Sequence, residues 1–76
     1  MRIFRSEFAH PTQASRVGLS VFESPRGFLL TEDRSGPSTV VSTLGLFADR
    51  DEALQRAKAR GEELHGKRYS TTSSNA

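Results

Sequence analysis

The sequence predicts an α+β domain in which a small antiparallel sheet of three or four strands carries one C-terminal helix on one face. Three observations lead there. Residues 49–65 form the one well-signalled helix, the residues before them fall into short extended runs, and turn-forming residues separate those runs. One helix covers one face of such a sheet, which leaves the other face to a partner, a ligand or water.

The first run, Arg2 to Phe8, sets Phe4 and Phe8 on one side of an extended chain and Arg5 and Glu7 on the other, the period of a half-buried strand. His10-Pro11-Thr12-Gln13-Ala14-Ser15 breaks it. From Arg16 to Glu23 the alternation resumes, with Val17, Leu19 and Val21 on one face and Gly18, Ser20 and Phe22 on the other. Ser24-Pro25-Arg26-Gly27 then reads as a turn, since proline pre-sets φ at its second position and glycine is favoured at its fourth. A hairpin closed there sets Glu23 opposite Phe28, Phe22 opposite Leu29 and Val21 opposite Leu30, so both of its faces carry apolar groups.

A second turn is expected over Glu32 to Pro37, with Arg34 at its tip, followed by a third β-branched and apolar run from Thr39 to Phe47. Gly45 in that run marks either a bulge or a close backbone approach. For the helix, Asp49 is the N-cap, Glu52 stands at the third position, and Asp51 adds a second carboxylate at the positive end of the helix dipole. Ala53, Leu54, Ala57, Gly61 and Leu64 form a narrow stripe for packing on the sheet, and Gly61 suggests a near-contact with strand backbone. Gly66 is placed to end the helix, with His65, Lys67 and Arg68 where positive charge is favoured. Residues 1–69 therefore read as one domain. Residues 70–76, Ser-Thr-Thr-Ser-Ser-Asn-Ala, hold no apolar group to offset their ordering entropy and read as a disordered tail.

With 76 residues, 34% of them hydrophobic, the chain has a small core, and a domain of this size gains stability from self-association. The absence of cysteine removes disulfides and thiolate metal sites and fits a cytoplasmic protein. No apolar run approaches the length that crosses a bilayer. The formal net charge of +2 is too small to argue for nucleic acid unless the basic residues cluster.

Two groups of basic residues are candidates for such clustering. Arg56, Arg60 and Lys67 lie close to one side of the helix, with Lys58 and Arg68 nearby, but Glu52 and Glu63 each stand four residues before a cation and would make the same side an ordinary solvated one. Arg16, Arg26 and Arg34 lie at or near loop ends, where the guanidinium fork suits phosphate or carboxylate. The apolar alternative site is the face with Phe22 and Leu29, extended by Val41 and Phe47, unless the first strand or Tyr69 folds over it. Catalytic chemistry has no counterpart. His10 and His65 have no ligand-spaced partners, no nucleophile elbow or Gly-rich phosphate loop is present, and Glu32 and Asp33 point to opposite faces of a strand. No metal, cofactor or enzymatic activity is expected.

The order of elements, with Phe47-Ala48-Asp49-Arg50-Asp51-Glu52-Ala53-Leu54 opening the helix and Lys67-Arg68-Tyr69 following it, resembles the WGR domain family. Small bacterial members begin much like Met1-Arg2-Ile3-Phe4. The family's phenylalanine before a Glu-Ala pair is matched by Phe47, Glu52 and Ala53, and its Lys-Gly-Tyr by Lys67 and Tyr69 with Arg68 in place of glycine. At the signature Trp-Gly-Arg-x-Gly the chain reads Glu32-Asp33-Arg34-Ser35-Gly36, keeping the arginine and the last glycine; tryptophan is absent from the chain. In poly(ADP-ribose) polymerases such a domain takes part in recognising DNA ends, so the resemblance implies Arg34 as a DNA contact. The leading expectation is thus a small non-catalytic nucleic-acid-binding module acting through Arg34, Arg26, Arg16, Arg56, Arg60 and Lys67. The alternative is a protein-interaction or self-association module, a homodimer included, that uses Phe22, Leu29 and Val41 on the uncovered sheet face.

Overall fold

A computed structural model describes residues 1–75, with only the backbone of Asn75. Five strands and one helix follow one another as β1 (Arg2–Ala9), β2 (Arg16–Ser24), β3 (Gly27–Ser35), β4 (Val40–Phe47), α1 (Arg50–Gly66) and β5 (Ser70–Asn75). The strands form one antiparallel sheet in the order β4-β3-β2-β1-β5, and the helix packs on one face of it. The α+β architecture stands, with five strands where three or four were expected.

The β2–β3 hairpin closes at Ser24-Pro25-Arg26-Gly27 and pairs Glu23 with Phe28, Phe22 with Leu29 and Val21 with Leu30, the expected register. Ser24 Oγ donates to the Gly27 carbonyl at 3.1 Å and accepts from the Arg26 amide at 3.3 Å. Gly27, at φ 132°, takes a conformation that side chains resist, and a Cβ there would strike the Phe47 carbonyl. β3 runs on through Glu32, Asp33 and Arg34 to Ser35, so Arg34 is a strand residue and not the tip of a turn. Paired residues share a face, which sends Glu32 toward the helix and Asp33 to the opposite side. Gly45 pairs with Leu30 while Thr43 pairs with Thr31, leaving Leu44 as the extra residue of a bulge. The Phe47 ring fills the space that a side chain at Gly45 would need.

Asp49 caps the helix by accepting from the Asp51 amide at 3.3 Å. The other end differs from expectation. Gly66 is still helical, Lys67 is the C-cap, and Arg68 adopts the left-handed conformation at φ 74°. The Tyr69 amide bonds the Leu64 carbonyl at 3.0 Å and the Arg68 amide bonds that of His65 at 3.1 Å, the two bonds of a Schellman motif. Its hydrophobic clasp is present too, since Tyr69 and Leu64 share one core cluster with Phe8, Val17 and Leu19. Val21, Leu30, Ala53 and Ala57 make a second cluster, against which Ile3, Phe4, Phe28, Phe47 and Leu54 pack. Each aliphatic side chain buried there contributes about 1.5–3 kcal/mol relative to exposure. Gly61 does make a close contact, but with a side chain and not with strand backbone: a Cβ there would stand 3.3 Å from Cζ of Phe8.

Residues 70–75 correct the expectation of a disordered tail, because they form β5 along β1, pairing Ala9 with Ser70 and Phe8 with Thr71; Ala76 lies outside the described residues. The ladder is reinforced by hydroxyls: Ser6 Oγ donates to the Ser73 carbonyl at 3.4 Å and Thr72 Oγ1 to that of Glu7 at 3.2 Å. Such a strand owes its order to hydrogen bonds that composition does not record. No helix among the described residues is long and apolar enough to cross a membrane.

Candidate functional site

Six basic residues were nucleic-acid candidates, and the fold separates them. Arg26 lies in the β2–β3 turn, beside the start of α1, whereas Arg16 and Arg34 lie at the other ends of the two strands, roughly 25 Å away. Lys67 follows the end of α1, near Arg34, because Tyr69 just beyond it accepts from Arg34 Nη1 at 3.2 Å. Arg56 lies at mid-helix, beside Leu44. Arg60 turns inward, giving Nε at 2.6 Å and Nη2 at 3.3 Å to the two carboxylate oxygens of Glu32. That bidentate bond, assisted by the charges of Glu32 and Glu63, raises the Arg60 pKa although burial opposes it. Glu32 also approaches Arg34 Nη2 at 3.7 Å. One carboxylate therefore engages two of the six candidates.

The end of the sheet near the helix C-terminus keeps a smaller basic group. The Arg34 guanidinium carbon stands 5.9 Å from the centre of the Tyr69 ring, and His10 meets the same ring edge-on at 5.2 Å. The His10 side chain is fixed by its own turn, its Nδ1 accepting from the Thr12 and Gln13 amides at 3.2 Å each. Lys67 and Arg68 immediately precede Tyr69, and Arg16 follows Ser15, whose Oγ stands 3.3 Å from the Tyr69 hydroxyl. His65 has a different role, donating to or accepting from Thr71 Oγ1 at 2.8 Å and stacking edge-on with Phe8.

The face away from the helix is divided. Toward β1 it is polar: Arg5 reaches across β2 and donates to Asp33 from Nη1 at 2.7 Å and Nη2 at 3.2 Å, to Ser20 Oγ at 2.8 Å and to Glu7 at 2.9 Å. The Asp33 bonds are the main reason the Arg5 pKa rises, against the opposing effect of burial. Gly18 makes the crossing possible, since a Cβ there would collide with the guanidinium. Toward β4 the face is apolar. Phe22, Leu29 and Leu46 pair in one row across β2, β3 and β4, with Phe22 and Leu29 half-buried and Leu46 53% exposed. Val41, opposite Asp33, is 65% exposed on the same face. The three interface candidates Phe22, Leu29 and Val41 are thus on the uncovered face, with neither β1 nor Tyr69 over them, while Phe47 belongs to the helix side and packs in the core.

Leu46 was missed, along with Val40 and Leu44, and all of them lie on β4. Among the described residues, Met1 and four side chains of β4 are the exposed large hydrophobics, Val40 at 57% and Leu44 at 40% completing the set. A sequence signal was available: from Ser35 to Ala48 the chain has no charged residue. β4 is also an edge of the sheet.

A cleft of about 560 Å³ opens between α1 and the β1–β5 side, floored by Phe4 and Phe8 and rimmed by Lys58, Glu62 and His65. It exists because the short serines and threonines of β5 do not fill the space beside the helix. Among the described residues no three His, Cys, Asp or Glu side chains are grouped to hold a metal ion. No protein-family model matches the chain, and no curated protein or solved structure matches it either.

Proposed function

We propose that the chain is a small non-catalytic interaction module that binds by adding a strand to its sheet at β4 and by covering the neighbouring row Phe22, Leu29 and Leu46. The observation that carries the reading is an edge strand with four exposed aliphatic side chains and no charge. Edge strands usually hold lysine, proline or inward charge to prevent pairing with another chain. β4 has a bulge and nothing else of the kind. Strand addition obtains its affinity from main-chain hydrogen bonds and its selectivity from alternate side chains, and both are available here. The partner's chemistry follows: an extended, uncharged, β-branched segment.

Amide hydrogen exchange of the intact chain with an added peptide of residues 39–48, flanked by lysines for solubility, tests the reading. Slower exchange confined to β4 and the Leu46 side is the expected result. Unchanged β4 exchange at millimolar peptide, in a chain diluted to the monomer, would refute it.

A second reading, contact with a nucleic-acid backbone, is favoured by Arg34 against Tyr69, with Lys67 and Arg68 just before that tyrosine and Arg16 next to its neighbour Ser15. Phosphate contacts release counterions, so the affinity for duplex or single-stranded DNA should fall steeply with salt and Arg34→Ala should flatten the slope. No binding at low salt removes this reading.

A further inference from the structure

We infer that the partner of β4 is a second copy of this chain, paired antiparallel through β4 about a two-fold axis, so that the two sheets join and both helices lie on the same side. The inference rests on the strand-addition reading and adds the identity of the partner. What identifies it is the charge order along the helix flank above β4. Arg56, Ala59, Arg60 and Glu63 line the space over Leu44, and Glu52 and Lys67 continue that flank by one turn in each direction. A two-fold axis perpendicular to the sheet runs the two helices antiparallel. Leu44 is near the middle of β4 and lies level with the middle of the 56–63 segment, so an axis through the strand centre puts Arg56 of one copy opposite Glu63 of the other. The same operation puts Glu52 opposite Lys67. Both contacts occur twice, as an isologous interface requires.

The distances allow it. The helix packs on β2, β3, β4 and β5, so its axis lies between β2 and β3, and strands about 4.8 Å apart then separate the two helix axes by roughly 19 Å. A helix with its side chains is about 10–12 Å across, so a gap of roughly 8 Å remains, which an extended arginine meeting a glutamate closes above Val40 and Leu44 of both copies. On the opposite face Leu46 of each copy meets Val41 of the other, which carries the row Phe22, Leu29 and Leu46 across the seam. Arg60, next to the axis, is already held by Glu32; a heterologous partner would have to reproduce the remaining order Glu, Arg, Glu, Lys in reverse, and a second copy does so by symmetry.

Sedimentation equilibrium on the intact chain tests this. Wild type should dimerise, while Arg56→Glu alone and Glu63→Arg alone should each weaken the dimer by about tenfold or more, because each turns two attractive contacts into repulsive ones. An equimolar mixture of those two single variants should regain wild-type affinity, since every contact between unlike variants is again attractive. Within one helix residues 56 and 63 are two turns apart, so improved folding of either variant cannot mimic this recovery. A wild-type chain that stays monomeric at millimolar concentration overturns the inference, as does a dimer indifferent to both substitutions or a mixture no tighter than its parts. In each of those cases peptide protection of β4 would leave the strand-addition reading intact, and loss of that protection as well would remove both.

Discussion

Arg68 holds a backbone conformation that suits glycine. An L-residue in the left-handed region costs about 1–2 kcal/mol, and at φ 74° Arg68 bears that cost to let Tyr69 fold back on Leu64. Arg68→Gly should therefore raise stability by about 0.5–1 kcal/mol, the gain being reduced by glycine's larger unfolded-state entropy. A urea midpoint that stays or falls would show that the arginine side chain contributes more than its backbone costs. Gly18 presents the converse case, where a missing side chain makes room for the guanidinium of Arg5. Gly18→Ala should displace that group from Asp33 and cost about 1–3 kcal/mol, the range for a charge-assisted pair that is largely shielded from water. In an Arg5→Ala background the same substitution should cost less than half as much. Equal costs in the two backgrounds would mean that the alanine acts on the backbone and not through Arg5.

The elements that were legible in the sequence are those whose signal is local. The cap at Asp49, the apolar stripe of α1 and the Ser24-Pro25-Arg26-Gly27 turn each lie within a few residues, and the turn alone determined the register of nine paired positions. What escaped depended on distant partners. β1 lies beside β2 and not at an edge, and that place is determined by Phe4 and Phe8 reaching the helix, which no window of sequence contains. Arg34 was read as a turn residue because Asp33, Ser35 and Gly36 are turn formers, yet pairing with Val17 and Val40 on either side keeps β3 extended to Ser35. β5 was read as disordered because Ser-Thr-Thr-Ser-Ser-Asn holds nothing apolar to bury; the exposed side chains of residues 70–74 accord with that reading even though the backbone of the strand is paired. The two facts together predict a strand that opens easily. Amide exchange in 70–75 should report an opening free energy well below that of β2, whose five consecutive buried residues exchange only on global unfolding. Equal protection of β5 and β2 would mean that the hydroxyl contacts to β1 make the last strand part of the cooperative unit.

At the scale of the whole molecule, one helix cannot cover five strands on both sides, and the sequence divides the uncovered face into a part that satisfies itself and a part that does not. Arg5, Glu7, Ser20 and Asp33 close the first part with their own hydrogen bonds. The second part, Leu46 with Phe22, Leu29 and the β4 edge, has nothing above it among the described residues. If that region is an interface and not a piece of core, charge placed on it should disturb association without disturbing folding. Leu46→Lys is the direct probe, because the side chain is already 53% exposed and a lysine stem can lie along its neighbours with the ammonium in water. Its effect on monomer stability should stay within about 0.5 kcal/mol, the range for surface substitutions. Leu30→Ala, at a position 2% exposed beneath the helix, should lose about 2–5 kcal/mol. Light scattering against concentration should show Leu46→Lys driven toward the monomer, since each ammonium would be buried against Val41 of the other copy at the seam. A Leu46→Lys chain as unstable as Leu30→Ala would make the row part of the core, and one that associates like wild type would move the interface away from β4.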